Sequence, residues 1–511
     1  MRTQQKTFAI IRGYTLLYAI LLAGAAGAEQ TVFIPYEEQQ EAYMFPVQKE
    51  PRAPKTIILQ QEQRAPETII LHFGQEDPDT RYFGQNVGQM EQLAAFSGTT
   101  VRVQDRSLDA FQIDAQDQLC QRSPYGAWYG PYSSGSVRGG KPSFCFPIDY
   151  GAALFQKYVA FQPTVFSDAL NDVDLARWKL GRYRNSFLLL GTNIRDGVFD
   201  WLTDDALWQE ITSRVTALAR VAKRGGLRGI FIDPEQYGGA PIWNFLSSDR
   251  CQGSKGEDCI KALKDSPDYA MTTFEAVSVK VHQRGRDFIQ AINRAFPGCV
   301  IWLAYGYSSV DNLQYEHGLW GVFIDGMLEA SDPETIFIDG MEGSYEPSRW
   351  DEANSEGRNL IKKTTVDALQ FTAVPSLYKQ KMRVGFGLRM DKIATPNTFQ
   401  HDLDKAFCLS DQLQEWNHGS RYIFIWHQAN PLNPPCEEEP PNDRKCEDRT
   451  YTWWLAPLWQ PESSRFPSDI AQTRFDDQHF GYLPVSQLLR DKLETINNSD
   501  YPPSPWGSQC P

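Results

Sequence analysis

Eight short apolar runs recur along this chain, with helical patterns between several of them. That alternation constrains the fold more than any other feature. The runs lie at 68–71, 99–103, 187–190, 227–232, 300–304, 335–338, 382–388 and 422–425. Amphipathic helical patterns fall at 204–224, 272–296, 354–379 and 398–415. Continuous apolar strands alternating with helices denote a parallel sheet covered by helices. Eight of them in this order predict an α/β fold, a (β/α)8 TIM barrel with long loop insertions and a C-terminal extension. The alternative, a doubly wound sheet, announces itself by a glycine-rich phosphate turn after its first strand, and His72-Phe73-Gly74 is not one. Segment 318–330 looks like another strand, but its apolar residues continue at helical spacing. It is expected to be a helix, which leaves Asp325 outside the site.

At 511 residues the chain accommodates one large barrel with additions. Residues 1–28 read as a signal peptide: Arg2, Lys6 and Arg12 precede a short apolar core, and Ala26-Gly27-Ala28 fits small-residue cleavage. Residues 29–66, rich in Gln, Glu and Pro, read as a linker. Residues 67–435 are the expected barrel catalytic domain, and 436–511 a C-terminal extension packed on it. The expected location is secreted or periplasmic, and no later stretch is long and apolar enough to span a membrane. The net charge of −14 becomes more negative once the three leader cations are lost, which argues against nucleic acid and anionic membrane partners. Among nine cysteines, Cys120/Cys145, Cys251/Cys259 and Cys436/Cys446 are the candidate bridges by proximity. No C-x-x-C pair is present, and His is scarce at strand ends, so neither a metal nor a cofactor is expected.

In such barrels the chemistry sits where strands end and lead into helices. Strand four supplies Asp233 and Glu235. Strand alternation puts both on the face of Phe231, with Ile230 and Ile232 against the helices. On strand six, Phe337 and Asp339 share the parity of Phe231 and Asp233, and Glu342 follows beyond a glycine. Glu235, Asp233, Asp339 and Glu342 are therefore the candidate catalytic carboxylates. The candidate substrate-binding residues are Tyr305, Tyr307, Arg389, Trp426, His427, His72 and Trp128. Gly385 and Gly387, on the parity of Arg389, would leave room in the mouth. Two aromatic loops, 124–150 with Trp128 and 236–270 with Trp243, would wall a cleft or pack on themselves.

The run Arg228 to Glu235 resembles the strand-four signature of chitinase-type glycoside hydrolases, Asp-Gly-x-Asp-x-Asp-x-Glu. Gly229, Asp233 and Glu235 match, whereas Arg228 and Phe231 replace the first two acids. The resemblance implies that Glu235 is the proton donor and that Asp233 orients the substrate. More broadly, residues 67–430 resemble secreted (β/α)8 glycoside hydrolases, with an acid on strand four, a second carboxylate on a later strand and Trp426 near the end of strand eight. The expected function is hydrolysis of a polysaccharide or glycan by paired carboxylates, one protonated and one ionised. The alternatives are a non-catalytic glycan-binding envelope protein and a metal-dependent hydrolase on the same barrel. Sequence alone does not separate Asp339 from Glu342 as the partner of Glu235.

Overall fold

Every strand of the structure runs parallel to its neighbours, and the sheet closes on itself. The computed structural model describes residues 67–72, 77–93, 96–104, 149–155, 163–192, 200–235, 242–245, 273–310, 318–342, 350, 359–389, 396–426 and 510. All of them belong to one compact unit spanning Gln63–Pro511. Trp128, His427 and the three candidate cysteine pairs lie outside the described residues.

The strands are β1 (Glu67–His72), β2 (Gly98–Val101), β3 (Phe187–Gly191), β4 (Gly229–Asp233), β5 (Val300–Leu303), β6 (Ile336–Asp339), β7 (Met382–Val384), β8 (Phe386–Arg389) and β9 (Arg421–Trp426). Their spatial order is β7-β6-β5-β4-β3-β2-β1-β9-β8. The two outermost segments, β7 and β8, are consecutive in the chain and separated only by Gly385. The first half pairs with β6 and the second with β9. They are one stave bent between two partners, so the sheet is an eight-stave α/β TIM barrel, as the strand pattern predicts.

Helices cover the outside: α1 (Thr80–Leu93), α2 (Pro163–Arg177), α3 (Asp205–Arg224), α4 (Phe274–Ala295) and α5 (Gly318–Ala330). They are followed by α6 (Leu360–Lys362), a π turn at Lys363–Asp367, α7 (Ala368–Phe371), α8 (Pro375–Lys381), α9 (Pro396–Gln412) and α10 (Gln414–Asn417). The helix expected over 354–379 breaks between α7 and α8. Pro375 has no amide to continue the ladder, and Thr372 is already extended. Helices α1 and α2 have no counterpart in the sequence reading. Gly84 sits inside α1 because a Cβ there would lie 2.2 Å from the Asp172 carbonyl oxygen of α2. Segment 318–330 is helical as expected, and buried nearly all round.

Two apolar layers separate by strand parity. Phe187, Phe231, Trp302, Ile338 and Phe424 belong to the barrel interior, whereas Ile230, Ile232, Ile301, Leu303 and Phe337 face the helices. The interior is packed solid. Phe424 meets Phe231 at 5.7 Å and Trp302 at 6.1 Å between ring centroids. Gly385 and Gly387 do not leave room in the mouth. A Cβ on Gly387 would lie 2.7 Å from the Phe424 ring, and one on Gly385 2.8 Å from Ile338. Neighbouring large side chains occupy that space instead.

Many of the tryptophans are core rather than ligand platforms. Trp201, Trp208, Trp243 and Trp320 are buried and share ring contacts with Phe323. The Trp243 indole donates to Thr192 Oγ1 at 3.0 Å, so it walls no cleft. Among the described residues, no helix is long and apolar enough to cross a membrane. Cys408 on α9 is bonded to Cys510, 102 residues away, while Cys299 is a buried free thiol pushed up to about 12 by burial.

Phe424→Ala removes the central ring of the interior and is expected to cost about 3–5 kcal/mol of unfolding free energy. A urea titration followed by far-UV circular dichroism reads it as an earlier midpoint at unchanged slope.

Candidate active site

The ends of β4, β5 and β6 stand side by side, and their backbones stay paired just beyond the strands. Ala304 N–H donates to the Ile232 carbonyl at 2.9 Å, and Glu342 N–H donates to the Ala304 carbonyl at 3.0 Å. This continuation sets the order Glu235, Tyr305, Glu342 around the C-terminal mouth. Asp233 ends β4 on the interior parity of Phe231. Its Oδ1 accepts the Glu235 amide at 2.9 Å, which turns the chain as pairing stops. Asp233 thus caps the turn that presents Glu235.

The Tyr305 hydroxyl donates to Glu235 Oε1 at 2.6 Å. The same phenol is held far above the usual tyrosine range. Burial is the largest cause, followed by the charges of Glu342 and Glu235, the hydrogen bond to Glu235, and Asp233. Three carboxylates from two loops therefore converge on one buried phenol. Its backbone is fixed as well, since the Trp320 indole of α5 donates to the Tyr305 carbonyl at 2.7 Å. Glu342 is 3% exposed, beside Met341, which has φ of 50°. That left-handed residue redirects the chain after β6.

Asp339 does not join them. Cα register pairs Asp339 with Leu303 and Phe337 with Ile301, and those residues face the helices. Its carboxylate therefore points out of the barrel. Fully buried, it accepts five hydrogen bonds: the Gly306 amide at 2.9 Å, the Ser308 amide at 2.8 Å, the Ser308 hydroxyl at 2.6 Å, the Met341 amide at 3.2 Å and the Thr364 hydroxyl at 3.1 Å. Such a group is an anchor, not a reactant.

Tyr307 also leaves the mouth. The 3-10 turn Tyr307–Ser309 carries its ring outward, where its hydroxyl donates to Asp325 Oδ1 at 2.7 Å and the Gly321 carbonyl at 3.1 Å. Asp325 also accepts from the Thr372 hydroxyl at 2.5 Å and the Ala373 amide at 2.7 Å, a structural knot between α5 and the α7–α8 break.

On the opposite wall, the backbone register sets His72, Trp426 and Arg389 level across β1, β9 and β8. Trp426 is half-buried against the interior cluster. These three candidates are thus neighbours, across the mouth from Glu235.

A second polar cluster at the same end is absent from the sequence reading. Arg102 follows β2 and pairs with Asp149 at 3.0 Å and with Asp77 at 3.7 Å, and the Thr100 hydroxyl donates to Asp77. Burial raises the Asp149 carboxyl above its usual range, against the lowering effect of Arg102. The available signal was an arginine inside the apolar run Thr99-Thr100-Val101-Arg102-Val103. Among the described residues, no group of three or more His, Cys, Asp or Glu side chains is arranged to hold a metal ion.

No protein-family model matches the sequence, and no curated protein does. Among solved structures, the chain is similar to TcOYE with pHBA, at 11% identity and a TM-score of 0.27, over 52% of this chain and 69% of that one. It is also similar to a sugar phosphate isomerase/epimerase from Parabacteroides distasonis, at 11% identity and a TM-score of 0.24, over 57% and 82%. Superpositions this loose say nothing of reaction or site.

Asp339→Ala leaves five donors without their acceptor and is expected to destabilise by more than about 3 kcal/mol. Glu235→Gln, which keeps the shape of a partly exposed side chain, is expected to stay within about 1 kcal/mol of the parent. Denaturant melts of the two variants separate the anchor from the reactive carboxylate.

Proposed function

We propose that the chain is a secreted glycoside hydrolase that cleaves a polysaccharide or glycan with Glu235 and Glu342 as its paired carboxylates. One observation carries this reading. A single buried phenol, Tyr305, is bonded to Glu235 and feels the charge of Glu342 as its strongest electrostatic neighbour. Two carboxyl groups so placed at the C-terminal mouth of a TM-barrel-like scaffold of eight parallel staves are the requirement for glycoside cleavage. One must be protonated to assist the leaving oxygen, and the other ionised to act at the sugar carbon or on water.

The opposite wall supports a sugar-binding role. Trp426 is half-buried there, an aromatic body with a polar edge at the level of His72 and Arg389. Rings of this kind stack on the C–H faces of sugars while nearby polar groups bond the hydroxyls. Asp233 serves by shaping the Glu235 turn, and Asp339 by fixing the loops beneath the site. The strongly acidic chain makes uncharged glycans better partners than polyanions.

Glu235→Gln and Glu342→Gln are each expected to lower hydrolysis by about 10²–10⁴-fold while the folded signal and melting temperature persist. Release of reducing ends from a panel of soluble polysaccharides and aryl glycosides provides the assay. Unchanged turnover in either variant sinks the pairing.

A further inference from the structure

Tyr305 has one proton to donate, and the structure commits it to Glu235 at 2.6 Å. The groups that act on this phenol are Glu342 from the turn after β6 and Glu235 and Asp233 from the end of β4. Each of them disfavours its ionisation, as burial does. Tyr305 is therefore a standing donor and not a base. A donor fixed on a carboxylate oxygen favours the charged form of that carboxylate.

Glu342 is placed differently. It is 3% exposed, whereas Glu235 is partly open to solvent. Burial penalises an anion, and like charges converging on one point penalise the second and third anions further. The Tyr305 proton rests on Glu235 and not on Glu342. Burial and repulsion together put the shared proton on Glu342.

We infer that Tyr305 is a positioning residue that holds Glu235 as the ionised member of the pair, and that Glu342 is the proton donor. This rests on the glycosidase reading for its chemistry, and it reverses the role that the strand-four resemblance implies for Glu235. In the reaction, the Glu342 carboxyl gives its proton to the glycosidic oxygen as the C1–O bond breaks. The bonding pair leaves with that oxygen, which departs as an alcohol. Glu235 supplies electrons on the other face. It either bonds C1 itself, to be displaced later by water that yields its proton to Glu342, or takes the proton of a water attacking C1.

The order of ionisation can be read without any substrate. Side-chain carboxyl ¹³C shifts of the full-length protein, labelled at Glu and assigned with E235Q and E342Q, are followed against pH. Glu235 is expected to ionise at lower pH than Glu342, and Tyr305→Phe is expected to narrow the gap by raising the Glu235 transition. Glu342 ionising first, or a Tyr305→Phe variant that moves only the Glu342 transition, overturns the inference. If Tyr305→Phe fails to fold, the parent titration alone decides.

A second arm reads the chemistry with 2,4-dinitrophenyl glycosides, whose leaving group needs no proton. Glu342→Gln is expected to keep turnover of these within about 10-fold of the parent while losing unactivated glycosides, and Glu235→Gln to lose both. The opposite pattern overturns the role assignment. A parent enzyme that hydrolyses no glycoside sinks the glycosidase reading, while the titration still decides the order of ionisation.

Discussion

The buried carboxylate of Asp339 is the fixed point on which the mouth depends. Its five hydrogen bonds reach Gly306, the residue after Tyr305, and Met341, the residue before Glu342. They also reach Ser308 and, through Thr364, the π turn beyond α6. One anion outside the barrel thereby fixes two loops whose reactive groups stand inside it. Charge-assisted bonds from backbone amides are short and directional, and in a site closed to water they have no competitor. The geometry between Tyr305 and Glu342 follows from this knot rather than from any direct contact with Asp339.

Beneath that level, the aromatic interior supplies the platform. Phe231, Trp302 and Phe424 meet edge-on across the barrel, and glycines on the split stave let Phe424 approach. Dense packing of this kind transmits position: a strand end cannot shift without moving rings on other staves. Glu235 lies two residues beyond β4, so its placement inherits that rigidity, trimmed by the Asp233 cap and the Tyr305 bond.

The barrel was legible because its strands are short apolar runs in the right number, and strand four was legible because Pro234 marks where pairing stops. Strand six was misread for a physical reason. Both faces of a barrel strand are apolar, so alternation carries no sign of inside or outside. Counting from Phe337 by analogy with Phe231 sent Asp339 to the wrong face, and only register with β5 reverses it. Tyr307 failed similarly, since a 3-10 turn breaks strand parity at once. Helices α1 and α2 escaped notice because their sequences lack a strong apolar period, and Gly84 reads as a breaker although it serves a close helix approach. The buried Arg102 cluster joins residues 77, 102 and 149, a separation that no local pattern reveals.

The bond between Cys408 and Cys510 has a topological consequence. It draws α9 and a residue 102 positions later into one covalent ring, and β9, the stave that completes the barrel, lies within that ring. A single backbone cut anywhere between the two cysteines leaves both pieces joined through sulfur. The closing strand therefore stays tethered to the barrel even in a nicked chain, and its loops can be trimmed without the molecule coming apart until the sulfur link is also broken.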